Sequence, residues 1–203
     1  MADLLLPFAP KEIRPIKQSG KKMFKNPFTG AILEEIRPGA QYWVFELSYF
    51  NLSEEKQRTL SAFFGRIMSG DFIQLENFQR TTGTRLGPPT VSNAAGTVCQ
   101  YDISVAGMPT NSPKIFAAGD FVRIQTDRGD EFKEVAADLN SDSLGRGTLK
   151  VWPMCRNSAP INGSTVYGGS AAYGRFRLDQ EQFEMNVNRW QRGAFDVRLV
   201  EAL

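Results

Sequence analysis

The chain has 203 residues, enough for one large domain or two small ones, and a chain of this length buries a core without disulfide or metal support. Its 24 Lys and Arg residues nearly balance its 22 Asp and Glu residues, which argues against a dedicated nucleic-acid-binding protein. The absence of histidine excludes Ser-His-Asp and Cys-His catalysis and the usual histidine-rich metal sites. We therefore expect no enzyme activity, no cofactor and no metal ion.

The N-terminus and the two cysteines are typical of a soluble protein made in the cytoplasm. No apolar stretch approaches the roughly 18–20 residues of a membrane span, and Pro7 interrupts the short apolar run at the start. We expect neither a membrane segment nor a secretory leader. Cys99 and Cys155 lie far apart in the sequence, and we interpret them as reduced core thiols rather than as a bridge or a site.

Residues 41–49 predict a β-strand with one buried face. Every second residue is large and apolar: Trp43, Phe45, Leu47 and Tyr49. The residues between them form a half-polar face: Tyr42, Val44, Glu46 and Ser48. This period of two is typical of a sheet that is covered on one side.

A helix is predicted directly after this strand. Ser53 is a good N-cap, Glu54 and Glu55 occupy the first turn, where the helix dipole favours carboxylates, and Gly70 ends the helix. An apolar stripe at helical spacing indicates the face that packs on a sheet: Leu60, Phe63, Phe64 and Ile67. Residues 71–78 are predicted to form the next strand.

The second half of the chain predicts a small β-domain. Residues 80–96 are small, polar and rich in breakers, which indicates a domain junction. Five short strand candidates follow, separated by turn signals, at 98–105, 120–125, 131–137, 148–152 and 165–167. Five strands in this length suggest a barrel or a sandwich.

The glycine-rich residues 163–174 lack the context of a phosphate-binding loop, and we interpret them as a hinge or linker. Residues 175–178, the alternating 183–187 and the alternating 194–200 are predicted to return to the sheet that contains Trp43. The chain is thus a β-domain interrupted by a second one. The predicted limits are 1–84 for the first part, 85–172 for the inserted barrel and 173–203 for the returning strands.

Two groups of charged residues are candidates for a functional site. The first is acidic: Glu131, Glu134, Asp138 and Asp142. Paired carboxylates serve glycoside hydrolysis and carboxylate loops bind calcium, but the turn-forming sequence around 138–142 favours solvated turn residues. The second is basic and lies near Phe24 and Phe28: Lys11, Arg14, Lys17, Lys21, Lys22 and Lys25. It is typical of a nucleic-acid patch, of an edge strand protected by lysines or of a face for an acidic partner.

The order of several motifs resembles one known family. They lie at 39–49, 53–70, 116–124, 135–138, 145–149 and 152–156. Together they resemble the distal tail proteins of long-tailed bacteriophages, in the branch with an inserted domain like an oligonucleotide/oligosaccharide-binding (OB) barrel. The resemblance implies a mainly β fold: a tail-tube-like β-sandwich with one helix, interrupted by the OB-like barrel.

The resemblance also implies a structural function in the virion. Such proteins form a six-fold ring at the distal end of the tail, around the DNA channel. The expected partners are other copies of the chain, the tail tube protein, and the hub and fibre or receptor-binding proteins of the baseplate. DNA would pass through the ring without specific binding, and no membrane is involved.

Two further hypotheses concern binding residues. Tyr42, Val44 and Tyr49 are candidates for a ring interface, with core packing as the other interpretation. The second function hypothesis is a carbohydrate-binding adhesion module that recognises host surface glycans. It requires exposed aromatics on the barrel, where the candidates are Tyr101, Phe121, Phe132 and Trp152, most of them expected to face the core. No catalytic residue is predicted.

Overall fold

The computed structural model describes residues 3–30, 32–36, 40–77, 83, 87–92, 101–155, 159–179, 186–187 and 193–202. The chain divides into two compact units. The first contains Met1–Ile16, Trp43–Phe78 and Tyr173–Leu203, and the second contains Lys17–Tyr42 and Gln79–Ala172. The predicted domain limits at 84/85 and 172/173 stay a prediction.

The fold is mainly β with one α-helix in the described part of the chain, which confirms the predicted class. The strands are β1 (Asp3–Leu5), β2 (Glu12–Gln18), β3 (Lys21–Lys25), β4 (Ile32–Ile36), β5 (Tyr42–Leu52), β6 (Phe72–Glu76), β7 (Thr90–Val91), β8 (Asp102–Ala106), β9 (Phe121–Thr126), β10 (Gly129–Val135), β11 (Gly147–Trp152), β12 (Tyr167–Gly168), β13 (Tyr173–Leu178), β14 (Asn186–Val187) and β15 (Gly193–Glu201). The helix α1 spans Glu54–Met68. None of the helical residues in these ranges forms a segment long and apolar enough to cross a bilayer.

The first unit is built on a sheet with the order β1-β6-β13-β15-β5-β2, to which β14 is added on β15. The returning strands β13 and β15 do join the sheet of Trp43, as predicted: β15 pairs antiparallel with β5, with Val197 opposite Leu47. The predicted alternation of β5 is confirmed, because its four large apolar residues, Trp43, Phe45, Leu47 and Tyr49, are all buried.

The helix α1 covers the apolar face of this sheet. Ser53 occupies the N-cap in an extended conformation, and Gly70 follows the helix with φ of 113°, the left-handed conformation that glycine adopts readily. Leu60, Phe64 and Ile67 are buried. The ring of Phe64 meets that of Phe195 edge to face, with centroids 5.8 Å apart, so the predicted stripe does pack on the sheet.

Two details of the first sheet differ from prediction. Val44, assigned to the half-polar face of β5, is buried, and its strand position is opposite Val200 of β15. The N-terminal strand β1 was not predicted; it lies at the sheet edge and pairs in parallel with β6, with Leu4 opposite Ile73. A strand of three residues carries too little pattern to be found from sequence.

The second unit holds a curled sheet with the order β12-β9-β10-β11-β8-β7. Its two edges meet, because Thr90 in β7 bridges Thr165, just before β12. The amide of Val91 donates to the carbonyl of Ser164 at 2.8 Å. Among its core residues are Ile103, Val122, Ile124, Val135, Leu149 and Val166. The sheet therefore encloses its own core, as a small barrel does.

The predicted strands of this unit are found with shifted ends, as β8 to β12. The start of the predicted strand 98–105 and Cys99 lie outside the described residues, as do 183–185, whereas Cys155 is buried in the barrel core. The predicted hinge at 163–174 is partly regular structure, since Tyr167–Gly168 form β12 and Gly169–Ala171 form a turn of 3-10 helix. A Cβ on Gly168 would lie 2.5 Å from Cε1 of Phe116, so this glycine serves close packing.

A separate antiparallel hairpin consists of β3 and β4, with Phe24 opposite Leu33. The sequence analysis did not predict it as a hairpin. The described side chains of its two strands, Phe24, Lys25 and Ile32, are exposed.

Candidate functional site

The acidic residues of the second unit are separated into different roles. Asp138 accepts a hydrogen bond from the amide of Ala118 at 2.8 Å and pairs with Lys114 Nζ at 3.3 Å. The hydrogen bond from Ala118 has the largest effect on the pKa of the Asp138 carboxyl and lowers it, and the interaction with Lys114 lowers it further. Asp142 accepts from the amides of Leu144 and Arg146, each at 2.8 Å.

These two bonds, of which the one from Arg146 has the larger effect, also lower the pKa of the Asp142 carboxyl. Asp138 and Asp142 therefore act as turn caps, in agreement with the interpretation of this region as turns. Glu131 and Glu134 lie on opposite faces of β10, because their positions differ by three residues. Within the ranges that the structure describes, no three His, Cys, Asp or Glu side chains are grouped so that they could hold a metal ion.

Glu131 is instead part of a buried ion pair. Its carboxylate lies 2.5 Å from Lys133 Nζ, with both side chains at most 1 % exposed. Lys133 also donates to the carbonyl of Met154 at 3.1 Å. The two residues lie on the same side of β10 as the core residue Val135, so both charges point into the barrel. Sequence analysis missed this arrangement, because Lys is almost never fully buried unless it is paired.

Two of the basic N-terminal residues, Arg14 and Lys17, form ion pairs with carboxylates. Arg14 pairs with Glu46 at 3.4 Å across the first sheet. Lys17 pairs with Glu134 at 2.8 Å and lies over the ring of Trp152, 5.1 Å from its centroid. The register of the hairpin places Lys22 opposite Glu35. Arg14 and Lys17 thus have acidic partners, which fits the interpretation as protected strands better than a nucleic-acid patch.

The tip of the hairpin presents an aromatic side chain to solvent. Phe28 is 95 % exposed. The side-chain oxygen of Asn26 accepts from the amides of Phe28, at 2.8 Å, and Thr29, at 3.3 Å, and the carbonyl of Asn26 accepts from Gly30 at 2.9 Å. This is an Asx-turn, and it holds Phe28 in place at the tip. This turn could have been predicted from the sequence, because the turn-forming residues from Asn26 to Gly30 lie between two strand patterns.

An apolar pocket lies at the edge of the first sheet, beside β1. Its volume is about 290 Å³, and we call it the β1 pocket. Its lining includes Leu5, Leu6, Phe8, Ala9, Leu75 and Glu76. Leu5 is more than half exposed, and Glu76 is exposed at the end of β6.

The face of the first sheet around β2, β5 and β15 is charged. A shallow depression of about 400 Å³ is lined there by side chains of both signs, among them Glu12, Arg14, Glu46, Asp196 and Arg198. Mixed charge on a sheet face keeps that face in water and gives it no strong preference for an ion of either sign.

The predicted aromatic candidates of the barrel differ in exposure. Phe121 and Phe132 are buried and stacked on each other, with centroids 4.8 Å apart, as expected for core-facing residues. Trp152 is half-buried. Tyr101 is exposed, and its hydroxyl accepts from the side-chain amide of Gln41 at 2.8 Å.

The three candidate interface residues of β5 belong mostly to the core. Tyr49 and Val44 are buried, and Tyr42 is half-buried. Tyr49 stacks on Phe195 at 4.8 Å, and its burial raises the pKa of its hydroxyl. For Tyr49 and Val44 the core interpretation therefore holds, and accessible apolar surface is found instead at the hairpin tip and in the β1 pocket.

Comparison of the sequence with protein-family models and with curated proteins finds no match.

Proposed function

We propose that this chain is a structural virion protein, a distal tail protein that forms a ring between the phage tail tube and the tail-tip hub and fibre complex. The proposal begins from the resemblance of the sequence motifs. It gains support from the order of the strands along the chain. The chain leaves the first sheet after β6, forms the barrel, and then completes the first sheet with β13 and β15. This is the arrangement of an inserted domain that the resemblance implies.

The observation that carries the proposal is that the first sheet ends in a different strand at each of its two edges. In the described strand order, β1 and β2 lie at the two ends of the sheet, each with a neighbour on one side only. Strand edges of this kind offer unpaired backbone groups to another chain. A protomer with two different free edges associates through two different surfaces, as ring closure requires.

Electron microscopy of the purified protein tests this function. The proposal predicts closed rings with a central channel, and gold-labelled antibody against the chain should mark the distal tip of intact tails. Label on the capsid or along the whole tail would contradict the proposal, because a distal ring occupies one end only.

A glycan-binding adhesion module remains the second candidate function. It is favoured by Tyr101, an exposed aromatic on the barrel, and the carbonyl of the same residue accepts from the amide of Val151, next to Trp152. Aromatic faces of this kind stack on apolar sugar surfaces. Glycan-array binding by the wild type that is lost in Tyr101→Ala would support this function, and no binding by the wild type would reject it.

A further inference from the structure

We propose that Phe28 is an anchor that inserts into the β1 pocket of a second copy of this chain, so that copies associate head to tail. This inference rests on the proposed function, since it names the contact by which a ring of identical chains would be built. Its parts are the hairpin tip, the β1 pocket and one charged pair beside them.

The tip is shaped for insertion. Phe28 is 95 % exposed, and Ile32 on the neighbouring strand is also exposed. A single exposed apolar residue is ordinary on a protein surface. Here, however, the three hydrogen bonds to Asn26 and the fixed φ of Pro27 hold the backbone of the tip in one conformation. A tip whose backbone is ordered before binding loses less conformational entropy on docking, so more of the burial of Phe28 contributes to affinity.

The pocket accepts an aromatic ring. Its lining is mostly apolar, from Leu5, Leu6, Phe8 and Leu75, and its volume is about 290 Å³. An apolar cavity of about 150 Å³ is already large enough to bind benzene. A phenyl ring therefore fits the β1 pocket and leaves room for the backbone that carries it.

Charge complementarity favours the same partner. Lys25 is exposed at the end of β3, three residues from Phe28, and Glu76 is exposed on the lining of the pocket. Neither side chain forms an ion pair with another residue of the described ranges. When Phe28 enters the pocket of a second copy, Lys25 approaches Glu76, and unlike charges at an interface fix its register.

The contact joins two different surfaces, so it is heterologous. Each copy offers one tip and one pocket, and every copy both gives and receives an anchor. Such a contact repeats until it closes into a ring, or it continues as a filament. Two copies that exchange their tips would instead close as a two-fold dimer, and that outcome would contradict the head-to-tail contact.

The test uses two variants that each remove one half of the contact. Phe28→Ser removes the anchor, and Ala9→Trp fills the pocket from an exposed position on its lining. Leu144→Ser is the matched control, because Leu144 is 67 % exposed on a turn that Asp142 holds in the same way. Light scattering over a concentration series measures the mass of each protein alone, and of the equimolar mixture of Phe28→Ser with Ala9→Trp.

We expect the wild type and Leu144→Ser to assemble alike. Burial of a Phe side chain corresponds to a roughly 10- to 100-fold change in affinity, so each half-variant alone should be monomeric at concentrations where the wild type assembles. Their mixture should give a one-to-one heterodimer, because it retains one intact anchor and one intact pocket. The double variant Lys25→Glu/Glu76→Lys should assemble, although each single charge change weakens assembly.

Assembly of Phe28→Ser or Ala9→Trp at wild-type concentrations would overturn this contact and leave the proposed ring untouched. A wild type that stays monomeric throughout the series would also overturn it. Assembly that depends on Phe28 but ends in open filaments would instead support the contact and contradict the proposed function.

Discussion

Replacement of Lys133 by methionine should be among the most damaging single changes in the barrel. The Lys133 ammonium and the Glu131 carboxylate are 2.5 Å apart and almost entirely shielded from water. Methionine keeps much of the apolar volume and removes the charge. The Glu131 carboxylate then loses the charge of Lys133 beside it, and the Met154 carbonyl loses its donor.

The size of the effect follows from the desolvation of the remaining charge. Removing one partner of a buried ion pair costs about 3–5 kcal/mol, a large part of the roughly 5–15 kcal/mol by which a domain is stable. Glu131→Leu/Lys133→Met removes both charges of the pair, and replacements of a whole buried pair by apolar residues are often neutral or stabilising. We therefore expect the double variant to regain most of the stability that Lys133→Met loses.

Urea denaturation of the four proteins of this double-mutant cycle gives the free energies of unfolding. Because the chain contains two units, amide hydrogen exchange in β9 and β10 should report the barrel separately. The expected coupling between the two positions is at least about 2 kcal/mol. A loss below about 1 kcal/mol in Lys133→Met, together with simple additivity in the double variant, would refute the buried pair.

Three further changes test other parts of the fold. Gly168→Ala should destabilise by about 1–3 kcal/mol, because the new methyl would meet the Phe116 ring at 2.5 Å; a neutral result would place the ring elsewhere. Gly65→Ala, at an exposed position of helix α1 where no atom lies within 4 Å of the added carbon, should stabilise the protein by roughly 0.5–1 kcal/mol in thermal unfolding. Asp142 has a pKa below its unfolded value, so its stabilisation is present above about pH 4 and is lost as the pH falls through the folded-state pKa. Asp142→Asn should therefore be less stable than the wild type at pH 6, by an amount that shrinks as the pH falls below 4, and a difference that does not change with pH would contradict this.

Local patterns predicted the elements that have a strong period. The alternation from Trp43 to Tyr49 and that of Phe195, Val197 and Leu199 identified two central strands, and all of these side chains are buried. The stripe from Leu60 to Ile67 identified the helix. These signals lie within single elements, where side-chain period follows directly from backbone geometry.

The features that sequence analysis missed depend on distant parts of the chain. The parallel pairing of β1 with β6 joins positions about seventy residues apart, and the burial of Lys133 depends on the curl of the second sheet. Phe28 was noted only as an aromatic near lysines. Its proposed role as an anchor depends on its exposure and on a pocket that residues of β1 and β6 form together.

The mass of the purified wild-type protein in solution tests the central claim, ring formation, most directly. Light scattering over a wide concentration range should find a discrete closed species of about six times the 22.7 kDa chain mass, with no larger species as concentration rises. A species that stops at a two-fold dimer, or a mass that grows without limit, would contradict a ring of identical protomers.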